Sequence, residues 1–323
     1  MKLDPPPGHT VRAATLEDAS VLADLLNACT LGEVGLTWTD EDDMLEDLTA
    51  PGFDLENDAA LVFDEAGSLV AGLVLYPDGS PTTTVFALGL VHPDAWGRGL
   101  GTFVTLLGEE RAERKVPITA HSSRVTVHGS RFVQNQRAAD LFRNLGYECV
   151  RTWWRMMVEL GDEGPAAWLP EGIELSPFRP GLDSRAVYDA LHEAFRDHWG
   201  QGMRAYEDWA GRVAGRRGSA PCFVLVAREG EQIAGALVGR VGTGADPEAG
   251  SVAELGVRRP WRGRGLGLAL LNMAFDEFRR RGLARARLIV DSESPTGATR
   301  LYERAGMKVE LAWDRWEKEL RPS

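Results

Sequence analysis

The sequence predicts a mixed α/β fold, a central sheet flanked by helices, that occurs twice in tandem. A glycine-rich turn at residues 262–267 has a weaker copy at residues 96–101, and each lies between a predicted strand and a predicted helix. Segments 146–160 and 306–320 close the two halves, have equal length and are strand-like at their ends. The 323 residues are enough for two domains of ordinary size.

Each half is predicted to begin with a strand, a helix and a β-hairpin. Apolar residues at helical spacing follow a short extended segment in both halves. Short β-branched runs on either side of a Gly-containing turn indicate hairpins. The paired segments are 10–14 and 173–175 for the strand, 16–26 and 186–195 for the helix, and 60–75 and 223–238 for the hairpin.

A strand that ends at Val91 in the first half, or at Val257 in the second, leads into the glycine turn and then a helix. In the second half, residues 287–290 form the next predicted strand, and a short helix follows. Ser294 is predicted to cap that helix, and Pro295 suits its first position.

These elements divide the chain into a first domain at residues 1–160 and a second at residues 173–323. The segment 161–172 between them is rich in Gly, Pro and Glu, which is typical of a linker.

Composition limits the class of protein. A net charge of −12 argues against a nucleic-acid partner, because phosphate binding needs a cationic surface. No apolar run approaches the roughly 20 residues that span a bilayer, and the N-terminal residues lack an apolar signal core, so a cytoplasmic protein is expected. The three cysteines are scattered and without CxxC spacing, which predicts reduced thiols and no metal site.

A glycine-rich turn between strand and helix presents backbone N–H groups to an anion. A nucleotide P-loop requires GxxxxGK[ST], but no Lys follows these glycines. A dinucleotide fingerprint requires GxGxxG, but the last position is Leu268 in one copy and Thr102 in the other. The pattern Arg/Gln-x-x-Gly-x-Gly/Ala is satisfied by Arg262, Gly265 and Gly267.

Residues 257–267, which contain this pattern, resemble the acyl-CoA-binding segment of the GNAT family of N-acetyltransferases. Residues 298–307, ATRLYERAGM, resemble the family's second signature, A-x-x-L-Y-x-x-x-G-F. The resemblance covers essentially the whole chain as two tandem domains, an arrangement similar to that of mycothiol synthase.

The resemblance implies direct transfer of acetyl from acetyl-CoA to the amine of a small molecule, with the chemistry in the second half. A mycothiol synthase-like activity is a narrower hypothesis. A non-catalytic acyl-CoA-binding or sensing protein is an alternative of another class.

The resemblance also implies which residues bind CoA: the end of a strand, the glycine turn and a later loop. These residues are Leu255, Gly256, Val257, Arg262, Gly263, Arg264, Gly265, Leu266, Gly267 and Ser294 in the second half, and Val91, Arg98, Gly99 and Gly101 in the first.

Tyr302 stands where the family commonly places its general acid, although a core tyrosine on an amphipathic helix would look the same. Glu254, three residues before Val257, is the candidate base, or it pairs with a nearby arginine. Asp291 and His198 are weaker candidates for the base.

His198 and Trp199 lie where the family forms its acceptor wall, together with Tyr206 and Trp209, unless these aromatic side chains serve packing alone. In the first half, Trp96 replaces the usual Arg or Gln, and Phe142 matches Tyr302 at an offset of 160. That half is therefore expected to be degenerate, either binding CoA without efficient turnover or serving as a structural partner.

Overall fold

The computed structural model describes residues 3–50, 52–78, 83–116, 124–164, 168–196, 199, 205–215, 222–243, 246–294 and 296–321. The chain forms two compact units. Unit 1 comprises Met1–Thr152 and Ala312–Ser323, and unit 2 comprises Trp153–Leu311. His198 and Pro295, both named in the sequence predictions, lie outside the described residues.

Strands and helices follow the predicted order in each half, with further helices between the first helix and the hairpin. In order they are β1 His9–Ala13, α1 Ala19–Val34, α2 Glu41–Leu48, α3 Leu55–Asp58, β2 Ala59–Asp64, β3 Leu69–Asp78, β4 Thr84–Val91, α4 Leu100–Lys115, β5 Val125–Phe132, α5 Gln136–Asn144, β6 Glu148–Glu159, β7 Glu174–Pro177, α6 Ser184–Phe195, α7 Tyr206–Val213, β8 Cys222–Glu229, β9 Gln232–Thr243, β10 Asp246–Val257, α8 Leu266–Arg280, β11 Arg285–Asp291, α9 Ala298–Arg304 and β12 Lys308–Arg321.

The sheet of unit 1 has the order β1-β2-β3-β4-β5-β12, and that of unit 2 has the order β6-β11-β10-β9-β8-β7. In both, the glycine-turn strand runs parallel to the strand after the following helix, β4 to β5 and β10 to β11.

The closing strand of each half completes the other half's sheet. β12 pairs with β5, from Trp313↔Phe132 to Arg321↔Val125, and β6 pairs with β11, from Trp153↔Asp291 to Glu159↔Arg285. The units therefore differ from the expected domains 1–160 and 173–323.

Helices cover both faces of each sheet. In unit 1, α4 packs in one apolar cluster with β3, β4 and β5, and α1 packs with β2 in another. In unit 2, α8 takes the place of α4, while α6 and α7 cover β8 and β9. The three-layer arrangement leaves the glycine turn at the end of a central strand. None of the described helices is long and apolar enough to cross a membrane.

The start of the first helix is built in the same way in both units. Asp18 accepts hydrogen bonds from Arg12, and Asp183 accepts them from Arg179. Hydrogen bonding by these arginines lowers the pKa of each aspartate to about 2, so both carboxylates are ionised at neutral pH. The segment predicted as helix from residue 16 begins with a 3-10 turn, Leu16–Asp18, before α1.

The predicted capping of α9 by Ser294 is wrong. The helix begins at Ala298, and Gly297, with φ 69°, occupies the N-cap. The Ser294 amide closes a turn onto the carbonyl of Asp291 instead, at 3.0 Å, so the chain turns once more before the helix begins.

Candidate active site

The glycine turn of unit 2 lies between the end of β10 and the start of α8. A 3-10 turn, Arg259–Trp261, comes first. Gly263 and Gly265 then adopt φ values of 76° and 86°, a left-handed conformation that glycine adopts without a Cβ clash. Gly265 is the N-cap of α8, so the first N–H groups of the helix have no intrahelical acceptor. These donors and the positive end of the helix favour an anion at the turn.

Other glycines near the turn allow close packing. A Cβ at position 267 would lie 2.8 Å from Cδ1 of Leu301, so glycine lets α8 approach α9. A Cβ at position 256 would lie 2.9 Å from Cδ2 of Leu191, so glycine lets β10 approach α6. Gly256 and Gly267 therefore have a structural role that does not depend on a cofactor.

β10 and β11 separate before either strand ends. Parallel pairs in the described chain cover only Ala249–Ser251 with Arg285–Arg287, although β10 continues to Val257. On the other side, the pairing of β10 with β9 shifts by one residue between Val252 and Glu254. Such a β-bulge bends a strand and re-aims its side chains. The result is an opening between β10 and β11 beside Leu255 and Val257.

Two arginines of the turn behave differently. Nε of Arg262 donates to the carbonyl of Val257 at 3.0 Å, and Nη2 donates to the carbonyl of Ala194 at 3.1 Å. Arg262 thus fastens the turn to the strand end and to α6. Arg264 is half exposed and forms an ion pair with Glu229 at 3.2 Å, an interaction that contributes little to stability. Arg264 is the arginine better placed to turn toward a bound phosphate.

Tyr302 lies on α9, half-buried against the apolar cluster under α8. Burial raises the pKa of its phenol to about 12, so the hydroxyl is protonated at neutral pH. Within the described part of the chain, this hydroxyl has no hydrogen-bond partner. The hydroxyl of Tyr302 therefore keeps its proton at neutral pH, and this proton is not donated to any of the described residues.

Glu254 lies on β10 just after the bulge, and its Oε2 accepts a hydrogen bond of 2.9 Å from the indole N–H of Trp209. Trp209, which is 3% exposed, packs against Tyr188 of α6, and Tyr188 in turn contacts Tyr206. Sequence reasoning named Trp209 and Tyr206 for the acceptor wall but missed Tyr188. The sequence signal that could have identified Tyr188 is its i,i+4 spacing from His192, which places both side chains on one face of α6.

The structure also describes Asp291, a weaker candidate for the base, Trp199 of the predicted acceptor wall and Ser294 of the predicted CoA site. Asp291 is 4% exposed at the end of β11, where its carboxylate accepts from the amide of Glu293 at 2.9 Å. Trp199 is half-buried in a turn after α6. Ser294 lies in the loop between β11 and α9, where its hydroxyl pairs with that of Thr296 at 3.0 Å.

Unit 1 retains the turn geometry. Gly97 and Gly99 have φ values of 80° and 79°, and Gly99 is the N-cap of α4. The indole N–H of Trp96 donates to the carbonyl of Val91 at 3.0 Å, the bond that Arg262 makes in unit 2. Arg98 donates to the carbonyl of Asp94 at 2.9 Å, so it stabilises the turn internally.

Unit 1 has apolar side chains at the two positions that match Tyr302 and Glu254. Phe142 is 8% exposed and packs against Tyr147 and Trp316, with ring centroids 5.0 and 5.7 Å away. Position 88, which matches 254 at the offset of the two turns, is Leu. The pairing of β4 with β3 is regular from Thr84 to Val91, without the bulge of β10.

Comparisons with known proteins agree on one class. The sequence model of the Acetyltransferase (GNAT) family matches residues 184–307. A mycothiol acetyltransferase of Thermobispora bispora is 35% identical over 224 residues, which are 67% of this chain and 70% of that protein. A mycothiol acetyltransferase of Geodermatophilus obscurus is 32% identical over 259 residues, 77% of this chain and 80% of that protein.

Two solved structures share the fold over nearly the whole chain. A GCN5-related N-acetyltransferase from Sphaerobacter thermophilus has a TM-score of 0.82 and 34% identity, covering 99% of this chain and 98% of that one. A tandem GNAT protein from the clavulanic acid biosynthesis pathway has a TM-score of 0.70 and 18% identity, covering 98% and 99%.

The fold and the comparisons define an acyltransferase of mixed α/β architecture. The chain belongs to the GNAT family and is an N-acetyltransferase of tandem organisation. Members of this family use acetyl-CoA and act on an acceptor amine. The predicted fold class and family are confirmed.

Proposed function

We propose that the chain transfers acetyl directly from acetyl-CoA to the amine of a small molecule, with the chemistry in unit 2. The observation that carries this proposal is the contrast at two positions. Unit 2 has an uncommitted, protonated Tyr302 and a carboxylate at Glu254 beside the opened strand end, whereas unit 1 has Phe142 and Leu88. Only unit 2 has, at these two positions, side chains able to move both protons of the reaction.

The turn of unit 2 fits a pyrophosphate. Its N–H groups lie at the positive end of α8, and Arg264 adds a cation whose ion pair with Glu229 is exposed. The opening between β10 and β11 would admit the pantetheine arm, which would bring the thioester to Val257. In this arrangement the N–H of Val257 donates to the thioester carbonyl and stabilises the oxyanion formed on attack. Leu255 and Gly256 line the approach.

Glu254 and Tyr302 would carry out the proton transfers of this reaction. An alkylamine is mostly ammonium at neutral pH, so Glu254 first accepts one of its protons, directly or through water. The free amine attacks the thioester carbonyl carbon, and the tetrahedral intermediate collapses by breaking the carbon–sulfur bond. Tyr302 donates its proton to the departing thiolate, and the excess proton on the amide nitrogen returns to the Tyr302 phenolate. The products are an acetamide and free CoA.

For unit 1 we propose a non-catalytic role. Its turn retains the left-handed glycines and the helix N-terminus, so Val91, Arg98, Gly99 and Gly101 remain candidates to hold CoA. Phe142 has no proton to donate, so bound CoA would not be turned over efficiently.

A narrower candidate is the activity of mycothiol acetyltransferases. It is favoured by identities of 30–35% over 67–81% of this chain in proteins of that name. In that case the acceptor is the one those enzymes use.

Release of free thiol from acetyl-CoA, measured with a panel of amines that includes the mycothiol acetyltransferase acceptor, tests the proposal. Amine-dependent release is expected, and it should be lost in the Glu254→Gln/Tyr302→Phe double variant. Tight CoA binding without release for any amine would instead identify a non-catalytic acyl-CoA-binding protein.

A further inference from the structure

The indole of Trp209 lies against the candidate base. Trp209 is 3% exposed on α7, and its N–H donates to Oε2 of Glu254 at 2.9 Å. An indole N–H is a donor only, and a bond to an ionised carboxylate is among the stronger hydrogen bonds in proteins. This contact joins α7 to β10 at the position where the strand leaves its regular pairing.

The indole is itself held in place from behind. Tyr188 of α6 packs against it, with ring centroids 5.7 Å apart, and Tyr206 meets Tyr188 edge-on at 5.4 Å. The guanidinium of Arg185 lies 4.9 Å from the ring centre of Tyr206. These contacts restrict the direction of the N–H bond, so the indole is a fixed donor.

The β-bulge in β10 also affects where the Glu254 carboxylate points. Val252 pairs with Gly239 and Glu254 with Val238, so Ala253 is the extra residue of the strand. A bulge changes the direction of the neighbouring side chains. β4 of unit 1 has regular pairing and a Leu at position 88. The re-aimed carboxylate and its indole donor thus occur together in the unit that carries Tyr302.

From these contacts we infer that Trp209 is a positioning residue for Glu254: its N–H fixes the direction of the carboxylate and favours the ionised form that accepts the proton of the acceptor amine. The inference rests on the proposed role of Glu254 as base. A hydrogen bond to the charged form of a carboxyl group lowers its pKa. Other ionisable groups face this cluster from α6 and α7, namely Arg185, Tyr188, Asp189, His192 and Glu207. All of these groups are retained in the sequence when Trp209 alone is replaced.

The test is Trp209→Phe, which keeps an aromatic ring on α7 and removes the donor together with part of the indole's buried volume. kcat is expected to fall by about tenfold, and the acidic limb of its pH profile is expected to move up by about half a pH unit or more. The KM for acetyl-CoA is expected to stay within about twofold, because the change lies away from the glycine turn.

The matched control is Trp261→Phe. Trp261 is 5% exposed in the same unit, and its indole N–H donates to Oε2 of Glu229 at 3.0 Å. This variant removes the same kind of bond from a carboxylate that is not the base. Because Trp261 precedes the turn proposed to bind CoA and Glu229 pairs with Arg264 of that turn, the KM for acetyl-CoA is expected to change, whereas the acidic limb of the kcat profile should stay at the wild-type pH.

Glu254→Gln separates the role of the base from that of its indole donor. If it retains full activity, Glu254 is not the base and the proposed function needs another proton acceptor. If it loses activity but Trp209→Phe keeps both the wild-type kcat and the wild-type acidic limb, the base stands and the positioning role is overturned.

If Trp209→Phe does not fold, the wild-type protein supplies the measurement. With ¹⁵N-labelled indoles, the Trp209 N–H resonance should titrate with the pKa of the kinetic acidic limb. A resonance that is flat across that limb would overturn the inference.

Discussion

One oxygen atom separates residue 302 from its counterpart at position 142. Tyr302→Phe is expected to lower kcat by about 100-fold, since a general acid supplies roughly that factor. The Kd for CoA should be unchanged, because the ring keeps its contacts with the apolar cluster. Calorimetry for binding and thiol release for turnover measure the two effects.

Tyr147→Phe is the control for that variant. Tyr147 is also buried, at 4% exposure, and burial raises its pKa, but it lies in unit 1 against Phe142. Its loss should change stability and leave turnover near wild type. Full activity in Tyr302→Phe would show that another group protonates the thiolate.

Individual site residues could be predicted from the sequence only where they lie inside a contiguous motif. Tyr302 and Arg262 stand inside contiguous signatures, so their positions could be read directly. The partner of Glu254 could not, because Trp209 lies 45 positions earlier and the one-residue bulge leaves no local pattern. Sequence reasoning offered an arginine, and the structure shows an indole. The replacement of Arg262 by Trp96 looks like a loss, yet both side chains donate to the carbonyl at the strand end.

At the scale of elements, the order of strands and helices was predictable because hydrophobic periodicity is local. The start of α9 was not, because Ser294 satisfies the N-cap preference but lies one turn too early. The separation of β10 from β11 also has no sequence signal of its own. Three paired residues on each strand hold them together, and beyond these pairs β10 stays paired with β9 and β11 with β6, which are distant in sequence from the turn.

The two glycine turns differ in expected function while sharing geometry, which makes them a matched pair. Gly265→Glu places a side chain at φ 86° and a negative charge at the helix N-terminus; Gly99→Glu does the same at φ 79°. Each costs about 1–2 kcal/mol in backbone strain. Gly265→Glu is expected to reduce turnover by about 100-fold or more by excluding the pyrophosphate, whereas Gly99→Glu should stay within about threefold of wild type.

Thermal unfolding tests whether both variants fold, and steady-state kinetics with acetyl-CoA compares their turnover. A folded Gly99→Glu variant without activity would move the chemistry to unit 1. Calorimetric stoichiometry for CoA in the same two variants shows whether the first turn also binds.

At the scale of the whole molecule, the sequence predicts two similar halves but not which strands complete each sheet. Segments 146–160 and 306–320 have the same length and similar strand character, so either sheet accepts either strand by local criteria. Only contacts between residues far apart in sequence show that each closing strand joins the sheet of the other half. Trp316 is 3% exposed within the apolar cluster of unit 1, and Glu317 bonds His128 at 2.8 Å. The repeat in sequence therefore does not coincide with the two compact units.

Removal of residues 312–323 tests this organisation, because the deletion lies in the second half of the sequence but its structural effect should fall on unit 1. β5 would lose its pairing from Val125 to Phe132, and the core would lose Trp316, a loss comparable to the roughly 3–5 kcal/mol of a buried Trp→Ala change. Hydrogen exchange should therefore accelerate in β5 and α5, while β8 and β9 of unit 2 keep their protection. Trp316→Ala in the full-length chain serves as the control, since it removes the core contact and retains the strand. Fast exchange in unit 2 with a protected β5 would mean that the closing strands stabilise their own halves, and the exchange of strands would then have no energetic role.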